Sequence, residues 1–291
     1  MSSGPDEAEA RRGVTRLRKA WRTAVTAELC WTGADGSPSA IAVTPLVHEG
    51  SVCVALPYSR AAQVESLRAG RTATFCVTDS RSTGGEPGLA ASGPVTVVDD
   101  VEGEVLADGL LEQELAKYPP SRTLADSVLL RREHWWWLPR IVIRLDGPGA
   151  VTPLPARTNP ARHALALTSD GTPRCVDLGD LDGLDGVDGV GDRSGPAVRD
   201  LSGAPLPDGP TLMLGYDYTM PDLERWETWA VSGTVAGGAL KVSARTGEPG
   251  ADLPPLGLLA RTRRHRQLGK DCRSGLRAAE RRVAPTSEPT S

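Results

Sequence analysis

The chain has 291 residues, of which 39% are hydrophobic, with 32 Gly, 24 Pro and a formal net charge of −4. That length is enough for two ordinary domains, and the Gly and Pro content implies short elements joined by many turns. No apolar run approaches the roughly 18 residues of a membrane span, and the N-terminus lacks a signal-peptide core, so a cytoplasmic protein is expected.

The five cysteines (Cys30, Cys53, Cys76, Cys175 and Cys272) include no CxxC pair, and the four histidines are scattered. A disulfide framework and a zinc site are therefore not indicated. There is no Walker A motif and no Gly-x-Ser-x-Gly, which leaves nucleotide hydrolysis and serine hydrolase chemistry without a footing.

In chain order, residues 1–8 read as disordered and 9–24 as a basic helix with Val14, Leu17 and Trp21 on one side. From Glu28 to Val77 strand-like runs are punctuated by Asp35-Gly36 and Glu49-Gly50. A short helix opens at Ser59-Arg60, and a strand follows at 72–77. This pattern predicts an antiparallel meander with one inserted helix, because Asp-Gly supplies the positive φ of tight hairpin turns. A hydroxyl and a guanidinium at the start of a helix suit an anion. The same two residues suit a cap and a surface ion pair with Glu65.

Residues 79–89 read as loop, 92–98 as strand and 104–118 as a helix stopped by Pro119-Pro120. The run His134-Trp135-Trp136-Trp137 precedes a strongly β-prone strand at 140–145, and Asp146-Gly147-Pro148-Gly149 closes the first unit. The expected division is a basic helical segment at 1–19, a first domain at 20–150, a second at 151–258, and a basic helix with a tail at 259–291.

The second domain echoes the first. Asp170-Gly171-Thr172-Pro173 repeats the turn at Asp35, and Asp208-Gly209 onward repeats Glu49-Gly50 onward. Pro221–Trp226 falls where the Ser59–Leu67 helix would lie, and Ser232-Gly233 repeats Ser92-Gly93. On this alignment the counterpart of strand 72–77 is missing and the second copy is degenerate. The Asp/Gly repeat at 177–195 lacks EF-hand spacing and reads as a solvated loop.

From Arg261 to Arg282 nine Lys or Arg face two acids, leaving 24 positive against 35 negative residues in the rest of the chain. Leu268, Cys272, Leu276, Ala279 and Val283 form an apolar stripe on this helix, so docking on the acidic body is expected. No aromatic residues interleave the basic ones, which speaks against nucleic acid as a partner.

The meander, the Asp-Gly-x-Pro hairpin and the Ala-Leu-Pro-Tyr-Ser-Arg-Ala segment together resemble the FMN-binding split β-barrels of the pyridoxamine 5′-phosphate oxidase-like superfamily. The resemblance covers about residues 20–150, with 160–240 as a weaker second copy. It implies a mainly β fold: a split β-barrel with peripheral helices, a degenerate second split-barrel repeat and a basic C-terminal helix. It further implies a flavin-dependent oxidoreductase acting on a small-molecule substrate. Ser59 and Arg60 would contact the FMN phosphate and Thr44, before Pro45, the ring side, with F420 or haem as alternative cofactors. A haem would find its candidate ligand in His134. Ala61 stands where the family usually has Lys, so one phosphate-neutralising charge is absent. The competing reading is a binding or regulatory protein that kept the barrel and lost the cofactor. The partner surface would come from a second chain, as a homodimer, or from the second copy, as an intrachain pseudo-dimer. No catalytic side chain is assigned, because a flavin carries the redox chemistry itself.

Overall fold

The structure is a computed structural model that describes residues 5–122, 124, 132–179, 197–250 and 253–283, without the side chains of 5–7 and 132–134. Most of the Asp/Gly repeat at 177–195 lies outside the described residues, as do 1–4 and 284–291.

The chain is mainly β. Helix α1 (Pro5–Thr23) leads into β1 (Ala27–Thr32), β2 (Pro38–Val43), β3 (Leu46–His48) and β4 (Ser51–Pro57). A 3-10 turn (Tyr58–Val64) runs into α2 (Glu65–Gly70), then come β5 (Thr72–Val77), α3 (Ser80–Thr83) and β6 (Gly88–Asp100). After α4 (Leu111–Lys117) and a second 3-10 turn (Arg132–Trp137), β7 (Arg140–Leu145) and β8 (Val151–Leu154) complete an eight-stranded antiparallel sheet. Its order is β2-β1-β5-β6-β7-β4-β3, with β8 beside β6. The sheet thus runs past the boundary expected at residue 150. The helix at Pro5–Thr23 likewise takes in residues 5–8, which read as disordered from sequence. Leu17 and Trp21 are the buried face of α1, and the Trp21 indole donates to the Cys53 carbonyl.

The sheet splits along β6. Its first half pairs with β5 and β8 and its second half with β7. The change of partners falls at Gly93-Pro94, where a Cβ on residue 93 would lie 2.4 Å from the Gly147 carbonyl oxygen. Only glycine admits that close approach of backbone to backbone.

The second sheet holds β9 (His163–Thr168), β10 (Pro173–Asp177), β11 (Arg199–Asp200), β12 (Gly209–Tyr218), β13 (Trp226–Ala236) and β14 (Ala239–Thr246), in the order β11-β10-β9-β12-β13-β14. The two Asp-Gly turns use the same chemistry. Asp35 accepts from Ser37, Asp170 accepts from Thr168 and Thr172, and each is followed by a positive-φ glycine.

The alignment of the copies needs one correction. Strand β12 lies beside β9 as β5 lies beside β1, and β13 follows β12 as β6 follows β5. Residues 209–218 are therefore the counterpart of strand 72–77, and what the second copy lacks is β3, β4 and the helical insert after them. Residues 219–225 form a turn rather than a helix, held by the Thr219 hydroxyl on Asp222.

The two sheets pack together through buried side chains. Glu28, fully buried, accepts at Oε1 from Thr78 (2.7 Å), Tyr216 (2.6 Å) and Arg157 (2.5 Å). Cys30, Cys76 and Cys175 join Leu165 and Leu167 in one apolar cluster, where each thiol acts as a small buried apolar group. Among the described residues no helix is long and apolar enough to cross a membrane.

Helix α5 (Leu258–Val283) docks on the first barrel, as its apolar stripe predicts. Cys272 and Ala279 are buried, Gly269 meets the Trp136 ring, and Gly275 sits on the Tyr58 backbone. Arg282 reaches Glu65 and Asp99, while Arg261 and Arg264 reach Glu224 and Glu227 of the second domain.

Candidate functional site

Between the first barrel, the second domain and α5 lies a cleft of about 700 Å³. That is within the range of roughly 300–1,000 Å³ typical of small-molecule sites. The link from β2 to β3 contributes Thr44, the end of β4 contributes Leu56 and Pro57, and the 3-10 turn contributes Arg60. Glu114, Tyr118, Trp137 and Arg140 form the floor, Asp222, Glu224 and Trp226 come from the second domain, and Arg261, Arg264, His265 and Leu268 from α5. Three parts of the chain far apart in sequence meet here.

Arg60 is the distinctive group. Its Nε donates to Gln63 Oε1 and its Nη1 to the Ala42 carbonyl, both at 2.8 Å. Both acceptors are neutral, and Nη2 has no partner among the described residues. Burial pulls its pKa down to about 10. A partly buried guanidinium without a carboxylate is costly unless an anion completes it. The ion pair with Glu65 that the sequence allowed does not form; Glu65 pairs with Arg68 and Arg282.

The other cations of the cleft are already matched. Arg261 is paired to Glu224 and Arg264 to Glu227. Arg140 is fully buried, reaches Glu114 at 3.3 Å and stacks 4.6 Å from the Trp137 ring, and Ser121 donates to the same Glu114 oxygen. Tyr118 packs its ring 6.0 Å from Trp226, and burial raises its phenol pKa. The Lys117 ammonium, beside Tyr118 in the chain, donates to the carbonyls of Trp21 (2.7 Å) and Pro45 (2.6 Å), which fixes the segment carrying Thr44.

Of the residues singled out from sequence, Thr44 and Arg60 are brought together in the cleft. Ser59 is not among its lining; it faces Cys272 on α5, where it pulls the thiol pKa down while burial raises it more. Trp137 lines the cleft, Trp136 packs under α5, and Trp135 is half exposed. The side chain of His134, the candidate ligand for haem as an alternative cofactor, lies outside the described residues, whereas His265 lines the cleft and packs edge-on to Trp136. Sequence reasoning missed Tyr118, Arg140 and Trp226, which carry no motif and reach the cleft only through tertiary packing. Among the described residues no group of His, Cys, Asp and Glu could hold a metal ion.

The strand order, the β6 split and the inserted 3-10 turn and helix after β4 decide the architecture. The fold is a mainly β split barrel with a second antiparallel sheet beside it. Neither a protein-family model nor a curated protein matches the chain. Among solved structures, the haem storage protein HutZ from Vibrio cholerae is similar at 10% identity and a TM-score of 0.34, over 48% of this chain and 92% of that one. A haem-binding protein from Mycobacterium smegmatis is similar at 13% identity and a TM-score of 0.31, over 94% of this chain and 100% of that one. A pyridoxamine 5′-phosphate oxidase-related, FMN-binding protein from Nostoc punctiforme PCC 73102 is similar at 12% identity and a TM-score of 0.29, over 81% and 98%.

Proposed function

We propose that this split barrel is a flavin-dependent oxidoreductase that holds FMN in the cleft, with Arg60 on the phosphate and Thr44 toward the ring. The observation that carries the reading is the Arg60 guanidinium, which is partly buried, bonded only to neutral acceptors, and has Nη2 left over beside Thr44's cleft. The donor set fits the group. One guanidinium awaits an anion, while Trp137, Trp226, Leu56 and Pro57 offer flat apolar surface for an aromatic ring system.

Bound FMN would supply hydride transfer, and the chain's part is to place it and keep water away. Arg60 anchors the phosphate, Lys117 holds the Thr44-Pro45 segment in place, and α5 closes one side through Leu268. Ala61, where the family usually has Lys, packs against the barrel core, so the anchoring charge rests on Arg60.

FMN titration followed by flavin fluorescence and by thermal melting tests the reading. FMN should quench on binding and raise the melting temperature, since a ligand of the folded state stabilises it. Arg60→Met should weaken affinity about 10- to 100-fold, as expected for losing a charge-assisted bond of about 1.5–3 kcal/mol. Absence of both FMN signals, with F420 equally silent, would leave the cofactor-free reading standing.

One observation favours a second cofactor: His265 places an imidazole in the same cleft. Haem bound there would give a haem absorbance band that His265→Ala shifts, whereas FMN binding would survive that substitution.

A further inference from the structure

Docking α5 on the barrel accounts for only part of its charge. Arg261, Arg264 and Arg282 are committed to carboxylates of the body. Arg263, Arg266, Lys270, Arg277 and Arg281 are all exposed and have no carboxylate within ion-pair distance among the described residues. At 100° per residue these five, with Arg273 between them, fall within about 80° of one another on the helix circumference. They form a single cationic line about 27 Å long, at 1.5 Å per residue from 263 to 281. Of the two acids in the helix, Asp271 lies on the other flank, where Gln267 holds it, and Glu280 lies at the edge of the line.

We propose that this line is a docking surface for the phosphate backbone of double-stranded nucleic acid. The charge, spacing and narrowness fit a linear polyanion, whose backbone presents phosphates along a strand about every 3.4 Å of helix axis. The rest of the chain has 24 positive against 35 negative residues, so a broad flat anionic surface would be repelled by the body. A rod touched along one helix avoids that repulsion. A membrane surface is a poorer match for a second reason. An interfacial helix must bury its apolar face in lipid, and the central apolar stripe of α5 is already spent on the barrel through Leu268, Cys272, Leu276 and Ala279, leaving only Leu258, Leu259 and Val283 exposed at its two ends. Single strands are disfavoured because no aromatic side chain stands in the line for bases to stack on. The lack of aromatics thus argues against base stacking and leaves backbone contact open.

The experiment uses the full-length protein and a labelled duplex of about 20 base pairs, with anisotropy read at several salt concentrations. Neutralising six phosphates gives a slope of log affinity against log salt near −5, and about a thousandfold loss between 50 and 200 mM salt. Replacing Arg263, Arg266, Lys270, Arg277 and Arg281 together with Gln should lower affinity at low salt at least 30-fold and flatten the slope. These side chains are exposed and form no ion pair with the body among the described residues, so the melting temperature should hold. Replacing Arg11, Arg12 and Arg16 of α1 with Gln should change affinity less than threefold. The proposal is overturned by no duplex binding at 50 mM salt, by equal losses from the α1 and α5 variants, or by capture on phosphatidylserine vesicles without duplex binding. Whether FMN binds does not enter this outcome.

Discussion

The two sheets share a skeleton and differ in an insert. In both, an Asp-Gly hairpin pairs with a central strand, and the last long strand carries a Ser-Gly that faces the same neighbour. The first sheet adds β3, β4, the 3-10 turn and α2 between hairpin and central strand. Thr44 and Arg60 both lie on this added stretch. The second domain, lacking it, contributes only a wall through Asp222, Glu224 and Trp226. The shared skeleton makes the fold, and the insert carries Thr44 and Arg60, the residues proposed to hold the cofactor.

The largest expected effect breaks the contact between the copies. Arg157→Met leaves Glu28 buried without its cation, against Thr78 and Tyr216. Stranding a buried charge typically costs about 3–5 kcal/mol. Urea denaturation should show that loss, and adding Glu28→Leu should restore at least half of it. A loss below about 1 kcal/mol would mean that the two sheets do not depend on this network.

The next effect separates the insert from the skeleton. Burial lowers the Lys117 ammonium, which grips the carbonyl of Pro45, from 10.5 to about 8. Between those values the unfolded chain binds a proton that the folded chain has released, so this group makes stability rise with pH across the window. At lower pH its charged form is buried at full cost. The neutral amine still donates to both carbonyls. The stability of the parent relative to Lys117→Met should therefore grow by roughly 3 kcal/mol from pH 8 to 10.5, at about 1.4 kcal/mol per unit. Thiols of the unfolded chain titrate in the same range, but they are common to both proteins and cancel in the difference. Urea melts across this range that give a constant difference would show that Lys117 is not desolvated.

Much of the fold was legible in the residues themselves. Asp35-Gly36, Glu49-Gly50 and Asp170-Gly171 are turns in the sequence and in the structure, because positive φ at each needs glycine chemistry. Strand 140–145 and the buried face of α1 follow equally from local pattern. The alignment of the second copy was misread because Asp208-Gly209 resembles Glu49-Gly50 locally, while its true counterpart is set by which strand it pairs with. The site was legible in part. Arg60 stood out by type and position, but its lack of a carboxylate is a property of the packed molecule. Tyr118, Arg140 and Trp226 had no signal, since nothing local brings them to a common cleft.

The smallest effects test the shared skeleton itself. A Cβ at Gly93 would lie 2.4 Å from the Gly147 oxygen, and one at Gly233 would lie 2.3 Å from the Lys241 oxygen. Neither glycine has positive φ, so the requirement is space rather than conformation. Both obstacles are backbone carbonyls, which cannot swing aside as a side chain would. At Gly93 the β6 strand changes partners, and at Gly233 the β13–β14 register shifts. The same Ser-Gly pair therefore marks a break in regular pairing in both copies, where a neighbouring backbone oxygen lies close to the glycine. Gly93→Ala and Gly233→Ala should each cost about 1–3 kcal/mol in urea denaturation, the range for forcing extra atoms into a packed site. Gly70→Ala, which meets only the Thr32 oxygen at 3.5 Å, should stay within about 0.5 kcal/mol of the parent. If Gly233→Ala were as mild as Gly70→Ala, the repeat would rest on turn chemistry alone, because the close backbone approach that makes Ser-Gly more than a coincidence would matter in only one copy.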